Sequence, residues 1–246
     1  MKPGYLSEVF TSFQGEGAQV GYRHLFVRLA GCNLRCRYCD TPDSLERGST
    51  YTVYGDQDAA ILRPNPVSVE DASRLLTTLL AAQAPIDAIA LTGGEPLLQS
   101  EFLAALLETG RFGVPVLLET SGVLPQRLRD VLSLVSIVSM DLKLPSNAGE
   151  GPFWDEHAEF LSLARAKALY VKILVDQATH DEDVGRAVSL LRPLHPSVPA
   201  FMQPIVDGSG RPMIDTERLT HLYLTARRNY DNIRVLPQTH KILGVR

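Results

Sequence analysis

His24-Leu25-Phe26-Val27-Arg28-Leu29-Ala30-Gly31-Cys32-Asn33-Leu34-Arg35-Cys36-Arg37-Tyr38-Cys39-Asp40-Thr41 is a strand-like run that empties into a cysteine loop. Cys32, Cys36 and Cys39 are the only cysteines in 246 residues, so every sulfur ligand lies on one short loop. Three thiolates are one short of the four that usually hold a [4Fe–4S] cluster. A metal left with an open position can bind a substrate or cofactor. Structural zinc is the main rival, since three cysteines and a histidine form a known site. No histidine lies close in sequence, and zinc knuckles usually come as separated pairs. Three buried, inert thiols are the third reading.

Outward from this loop the chain alternates strand and helix. Ser68 is a fitting N-cap for a helix carrying Glu70 and Asp71 in its first turn. Ala88–Leu91, Val114–Thr120, Leu134–Met140, Ala168–Val175, Ala200–Gln203 and Ile233–Leu236 read as strands. Ser100–Glu108, Asp181–Leu191 and Thr216–Arg228 read as helices. This alternation predicts an α/β fold of βαβ units with parallel strands. Several strands end in polar motifs: the cysteine loop, Thr92-Gly93-Gly94-Glu95-Pro96, Glu119–Ser121, Asp141–Lys143 and Gln203–Asp207. The carboxyl ends of parallel strands converge on one face, where such folds place their sites. One domain over residues 1–246 is expected. Leu45–Pro66 fits no element and reads as a loop insertion, either a lid or a segment with local structure.

Hydrophobic content of 45%, charge content of 21% and a net charge of −4 describe a globular chain with no polybasic footprint for nucleic acid. No apolar run approaches the roughly 18 residues of a membrane span. The odd cysteine count and the absence of a leader-like stretch point to the cytoplasm rather than to a disulfide scaffold.

Cys-x3-Cys-x2-Cys with Tyr38 before the last cysteine, followed downstream by Gly-Gly-Glu-Pro, resembles the radical S-adenosylmethionine (SAM) superfamily. That resemblance implies a modified, incomplete (β/α) barrel, a [4Fe–4S] cluster on Cys32, Cys36 and Cys39, and SAM bound at the open iron. Phe13-Gln14-Gly15-Glu16-Gly17, Glu119-Thr120-Ser121-Gly122, Asp141-Leu142-Lys143, Gln203-Pro204 and the closing Gln238-Thr239-His240-Lys241 narrow the likeness. They resemble the lyases of that superfamily that turn 6-carboxy-5,6,7,8-tetrahydropterin into 7-carboxy-7-deazaguanine with loss of ammonia, in queuosine biosynthesis. The likeness further implies Mg²⁺, a homodimer and an electron donor such as a flavodoxin or ferredoxin, with no nucleic acid and no membrane.

By the same resemblance, Thr41 holds Mg²⁺ through its hydroxyl; alone, it reads equally as a helix N-cap. Tyr38, Cys39, Asp40, Gly94, Asp141, Leu142, Lys143, Gln203, Pro204, Ile205 and Val206 match cofactor-binding segments. Phe13, Gln14, Gly15, Glu16, Arg28, Thr92, His240 and Arg246 match substrate contacts. Their ordinary fates are a solvated glycine-rich loop for Phe13–Gly17, a surface ion pair for Arg28, a structural role for His240 and a last strand for the C-terminus. Two departures stand out: Asp141 adds a charge, and Ile205-Val206 replaces the usual Met-Asp. The runner-up is a radical activase acting on a glycine of a partner protein; a different class is a non-enzymatic metal-binding module.

Overall fold

The computed structural model describes residues 2–55 and 60–246. Ten strands form one sheet in the order β10-β9-β8-β7-β6-β5-β2-β1-β3-β4. They are β1 (Leu6–Phe13), β2 (Arg23–Leu29), β3 (Thr50–Tyr54), β4 (Ala60–Pro64), β5 (Ala88–Gly93), β6 (Val116–Thr120), β7 (Ile137–Leu142), β8 (Ala168–Val175), β9 (Ala200–Pro204) and β10 (Ile233–Val235). From β2 through β5 to β10 every neighbouring pair is parallel. Parallel pairing requires long crossovers. These are supplied by α1 (Val69–Ala82), α2 (Ser100–Gly110), α3 (Pro125–Val131), α4 (Pro145–Ala148), α5 (Trp154–Ala164), α6 (Asp181–Leu191) and α7 (Thr216–Arg227); α8 (Thr239–Leu243) ends the chain. The sheet stays open, with β10 and β4 as its two edges.

Side chains alternate faces along a strand, and here the two faces have different tasks. Leu25, Val27, Ile89, Leu91, Leu118, Val138, Met140, Val171, Ile173 and Met202 belong to the large core that packs on the helices. The opposite parity builds a small inner cluster of Phe10, Phe26, Ala90, Leu117, Tyr170 and Phe201. Phe10 stacks on Phe26 with ring centroids 5.0 Å apart. The next inward residue along several strands is polar or charged: Arg28, Thr92, Glu119, Asp141, Lys172 and Gln203.

Several expectations are corrected. Within Leu45–Pro66, which fits no element by sequence, the alternative of local structure holds: β3 and β4 pair as an antiparallel hairpin, and β3 adds to β1 in parallel. Residues 56–59 of that range lie outside the described residues. β1 was not expected as a strand; it pairs antiparallel to β2 and sets Glu8 opposite Arg28. Leu134 and Val135 are not strand. They close the end of α3, with both amide N–H groups donating to Val131 O, and β7 starts at Ile137. α3 and α5 were not expected, and the chain ends on a helix rather than a strand. Ser68 caps α1 as expected, accepting from Asp71 N at 3.0 Å.

Candidate active site

The cysteine loop leaves β2 and is fastened on three sides. Gly31 N donates to Ser44 O, Glu95 N to Gly31 O, and Arg37 N to Ala148 O. The glycine pair after β5 fits directly beneath it. A Cβ on Gly94 would lie 2.5 Å from Gly31 O and 2.9 Å from Cys32 Cβ, so only hydrogen fits. Glu95, fully buried, ties this turn to the end of β6: its carboxyl accepts from Ser121 N at 2.9 Å, Thr120 Oγ1 at 2.8 Å and Leu97 N at 3.0 Å. Burial, opposed by these donors, holds its carboxyl above the ordinary range.

Cys32, Cys36 and Cys39 are free thiols on one wall of a pocket of about 1330 Å³, open mouth included. Burial pushes the Cys32 and Cys36 thiols up, while the Lys143 ammonium pulls the other way. Ligation to a metal deprotonates a thiol outright. Among the described residues no three His, Cys, Asp or Glu side chains are placed to hold a single metal ion. A cluster asks for less convergence, because each thiolate binds a different iron. Half-exposed thiols on one pocket wall, beside a cation and a backbone turn without side chains, fit a cluster with three protein ligands.

Adjoining the cysteine loop in the same lining is a buried ionic network. Lys172, mid-strand on β8, pairs with Glu16 Oε2 and with Asp141 Oδ1 at 3.1 Å. Lys143 Nζ meets Asp141 Oδ2 at 2.9 Å and lies over the Tyr38 ring at 5.4 Å. Glu16 Oε1 accepts from Gln203 Nε2 at 2.9 Å and from Gln238 Nε2 at 2.6 Å. Gln14 Nε2 donates to Glu119 Oε1 at 2.7 Å, and Gln14 Oε1 accepts from Glu16 N at 3.0 Å. Burial works against the charge of Asp141, yet Lys143 and Lys172 bring its carboxyl down to about 2. Burial likewise opposes Glu16, and Lys172 overrides it, so this carboxyl too lies below the ordinary value. Glu119, with burial dominant, is raised. The charge that Asp141 adds is therefore compensated by two lysines.

The two ends of the chain meet here. After β1 the segment Gln14–Gly21 turns inward, and Gly15 O accepts from Thr239 N at 3.0 Å. A Cβ on Gly15 would overlap the His240 ring. Burial lowers the His240 imidazole below its ordinary value. Arg246 lies over the ring of Tyr54, on the β3–β4 hairpin, at 3.6 Å. Arg28 reaches the pocket while its Nε pairs with Glu8 at 2.7 Å. Thr41 also faces the pocket; it stands at the start of a one-turn 3-10 helix, Pro42–Ser44, and its side chain makes no cap bond there.

Of the expected site residues, all but two line this one pocket. Leu142 and Pro204 do not. Both have the outward parity of their strands: Leu142 lies in the large core, and Pro204 is buried away from the lining. Sequence reading missed Lys172 and the anchoring role of Glu95 within its motif, and it named Glu119 and Gln238 within motifs without giving either a site role. For Lys172 a signal existed, a lone lysine at inward parity within Ala168–Val175.

An open, mostly parallel sheet whose strand ends hold a three-cysteine loop, a Gly-Gly-Glu turn and a pocket lined by a buried ionic network defines a radical SAM protein. The sequence profile of the Radical SAM superfamily matches residues 27–179. The 7-carboxy-7-deazaguanine synthase of Geobacter sulfurreducens is 36% identical over 99% of this chain and 98% of its own. That of Methanopyrus kandleri is 37% identical over 96% and 92%. The crystal structure of QueE from Escherichia coli superposes with a TM-score of 0.63 at 22% identity, over 96% of this chain and 94% of that one. The chain belongs to the 7-carboxy-7-deazaguanine synthase family of the radical SAM superfamily.

Proposed function

We propose that the chain converts 6-carboxy-5,6,7,8-tetrahydropterin to 7-carboxy-7-deazaguanine with release of ammonia, for queuosine or another 7-deazapurine. One observation carries the reading. The cysteine loop and the polar wall of Gln14, Glu16, Glu119 and His240 face the same space, in a chain that matches its synthase relatives nearly end to end.

When bound, the [4Fe–4S] cluster and SAM supply a 5′-deoxyadenosyl radical; the protein's share is position and exclusion of side reactions. Cys32, Cys36 and Cys39 would hold the cluster. Tyr38, Asp40, Gly94, Asp141, Lys143, Gln203, Ile205 and Val206 are disposed to hold SAM, while Leu142 and Pro204 lie outside the lining. On the pterin side, Glu16 is an acceptor for ring N–H groups, and Thr92 and His240 add hydrogen bonds. Phe13 and Gly15 shape the wall, Gly15 by letting His240 approach. Arg28 and Arg246 are cations suited to a carboxylate. Thr41, its hydroxyl not spent on a cap, suits Mg²⁺, which prefers oxygen ligands. Stacked Phe10 and Phe26 give the pocket an apolar floor.

The same reading includes a one-electron donor such as a flavodoxin or ferredoxin, a cytoplasmic setting and a pair of chains. Among the described residues no helix is long and apolar enough to cross a membrane. The test is anaerobic turnover of the carboxypterin with SAM, Mg²⁺ and a reductant, followed by mass detection of the deazaguanine. Reduced, cluster-loaded protein that leaves the carboxypterin unchanged would overturn the reading.

A further inference from the structure

The centre of the polar wall is Lys172, for which the reading above supplies no task. It stands on β8 one inward step above Tyr170, 7% exposed, where an unpaired ammonium would be costly. Its Nζ joins two carboxylates that belong to different halves of the pocket. Glu16 comes from the segment after β1, on the side assigned to the pterin. Asp141 comes from β7 and holds Lys143, on the side assigned to SAM. Lys172 and Asp141 are register partners across β7 and β8, so the backbone fixes this bridge. A lysine has three donors; two are used, and the side chain lines the pocket.

We propose that Lys172 is a positioning residue that couples the pterin side of the pocket to the SAM side, by gripping Glu16 and Asp141 with one ammonium. This rests on the function proposed above. Lys172 fixes the direction of the Glu16 carboxylate and keeps it ionised within a buried wall. The charged and titratable groups that act on Glu16 are Lys172 and Asp141, with Glu119 and His240 further off, and Asp40 shares its Gln238 donor. Of these, Lys172 is the cation paired with Glu16, and burial lowers the His240 imidazole below its ordinary value. Removing the ammonium should therefore let Glu16 take up a proton nearer neutrality.

The experiment compares wild type with Lys172→Met and Lys172→Arg, all cluster-loaded and anaerobic. Calorimetry measures carboxypterin affinity from pH 6 to 8, and turnover gives the ratio of 5′-deoxyadenosine to deazaguanine. Lys172→Met should weaken pterin binding by at least about tenfold, more so at the acid end, and raise that ratio through uncoupled SAM cleavage. Lys172→Arg should restore most of both. Glu16→Gln combined with Lys172→Met should cost little beyond Glu16→Gln alone, since the two act as a unit. Wild-type affinity, pH profile and ratio in Lys172→Met would overturn the coupling while leaving the proposed reaction standing. Wild-type protein that binds no carboxypterin would overturn both. If Lys172→Met does not fold, Lys172→Gln takes its place; failure of both to fold, with Lys172→Arg folded, would assign Lys172 to stability instead.

Discussion

At the scale of single residues, the site depends on positions that tolerate no replacement for reasons visible in the local geometry. Gly94 is one. Its missing Cβ is replaced by the backbone of Gly31 and by Cys32 Cβ, neither of which can yield as a flexible side chain would. Gly94→Ala should push the cysteine loop away from the turn, with an overpacking cost of about 1–3 kcal/mol. The expected outcome is a folded protein that takes up far fewer than about four irons per chain, checked by iron content after anaerobic reconstitution. Asp141 is another. Asp141→Asn would leave Lys143 and Lys172 buried without their shared anion, costing about 3–5 kcal/mol at neutral pH. The sign of the pH effect follows from the direction of the shift. Because the folded carboxyl lies at about 2, below its ordinary 3.8, its stabilisation is present above that ordinary value and fades as pH falls from 3.8 toward 2. Urea midpoints of wild type and Asp141→Asn should converge over that window and stay apart above it.

At the scale of elements, period-2 alternation explains both what the sequence revealed and what it hid. The motifs at strand ends were legible because their residues are rare in turns of ordinary composition. The strand interiors were less so: Ala168–Val175 reads as uniformly apolar except for Lys172, and only the register shows that Lys172 faces Asp141. Naming whole motifs as ligands overcounted for the same reason, since Leu142 and Pro204 have the parity of the helix-facing core. In the hairpin β3–β4 every residue of β4 is exposed, so that strand has no buried face to print a hydrophobic pattern, and in β3 only Tyr51 and Val53 are buried, too short an alternation to mark a strand. Two predictions belong here. Ser68→Ala removes the N-cap of α1 and should cost about 1 kcal/mol in urea unfolding, without changing the pocket. α8 buries none of its residues, yet it carries His240. A chain ending at Pro237 should therefore keep its fold by circular dichroism while carboxypterin affinity falls by more than about tenfold, because His240 and the buried Gln238 donor to Glu16 are both lost.

At the scale of the whole molecule, the inner face of the sheet is a gradient from an apolar floor to a charged rim, and its floor contains a group out of place. His24 shares the inward parity of Phe26 and Arg28, is fully buried, and neither ring nitrogen finds a hydrogen-bond partner among the described residues. Its ring lies 5.9 Å from that of Phe26. Burial is the main cause that brings its imidazole from 6.5 down to about 4. The folded protein thus holds His24 neutral where the unfolded chain would protonate it. Stability that is intact above 6.5 is lost progressively as pH falls toward 4, by an amount on the order of 2–3 kcal/mol for this one group. His157 is lowered to about 4 in the same way and adds to the slope, although its Nε2 lies 3.2 Å from Ser121 O. Replacing His24 with leucine removes a proton acceptor and two unsatisfied buried nitrogens at nearly constant volume. His24→Leu should match or exceed wild-type stability near pH 7. It should lose less of it between pH 6.5 and 4, which urea titrations at several pH values would resolve. A variant as acid-sensitive as wild type would mean that His24 already exchanges protons with solvent, and that the floor of the inner face is wet.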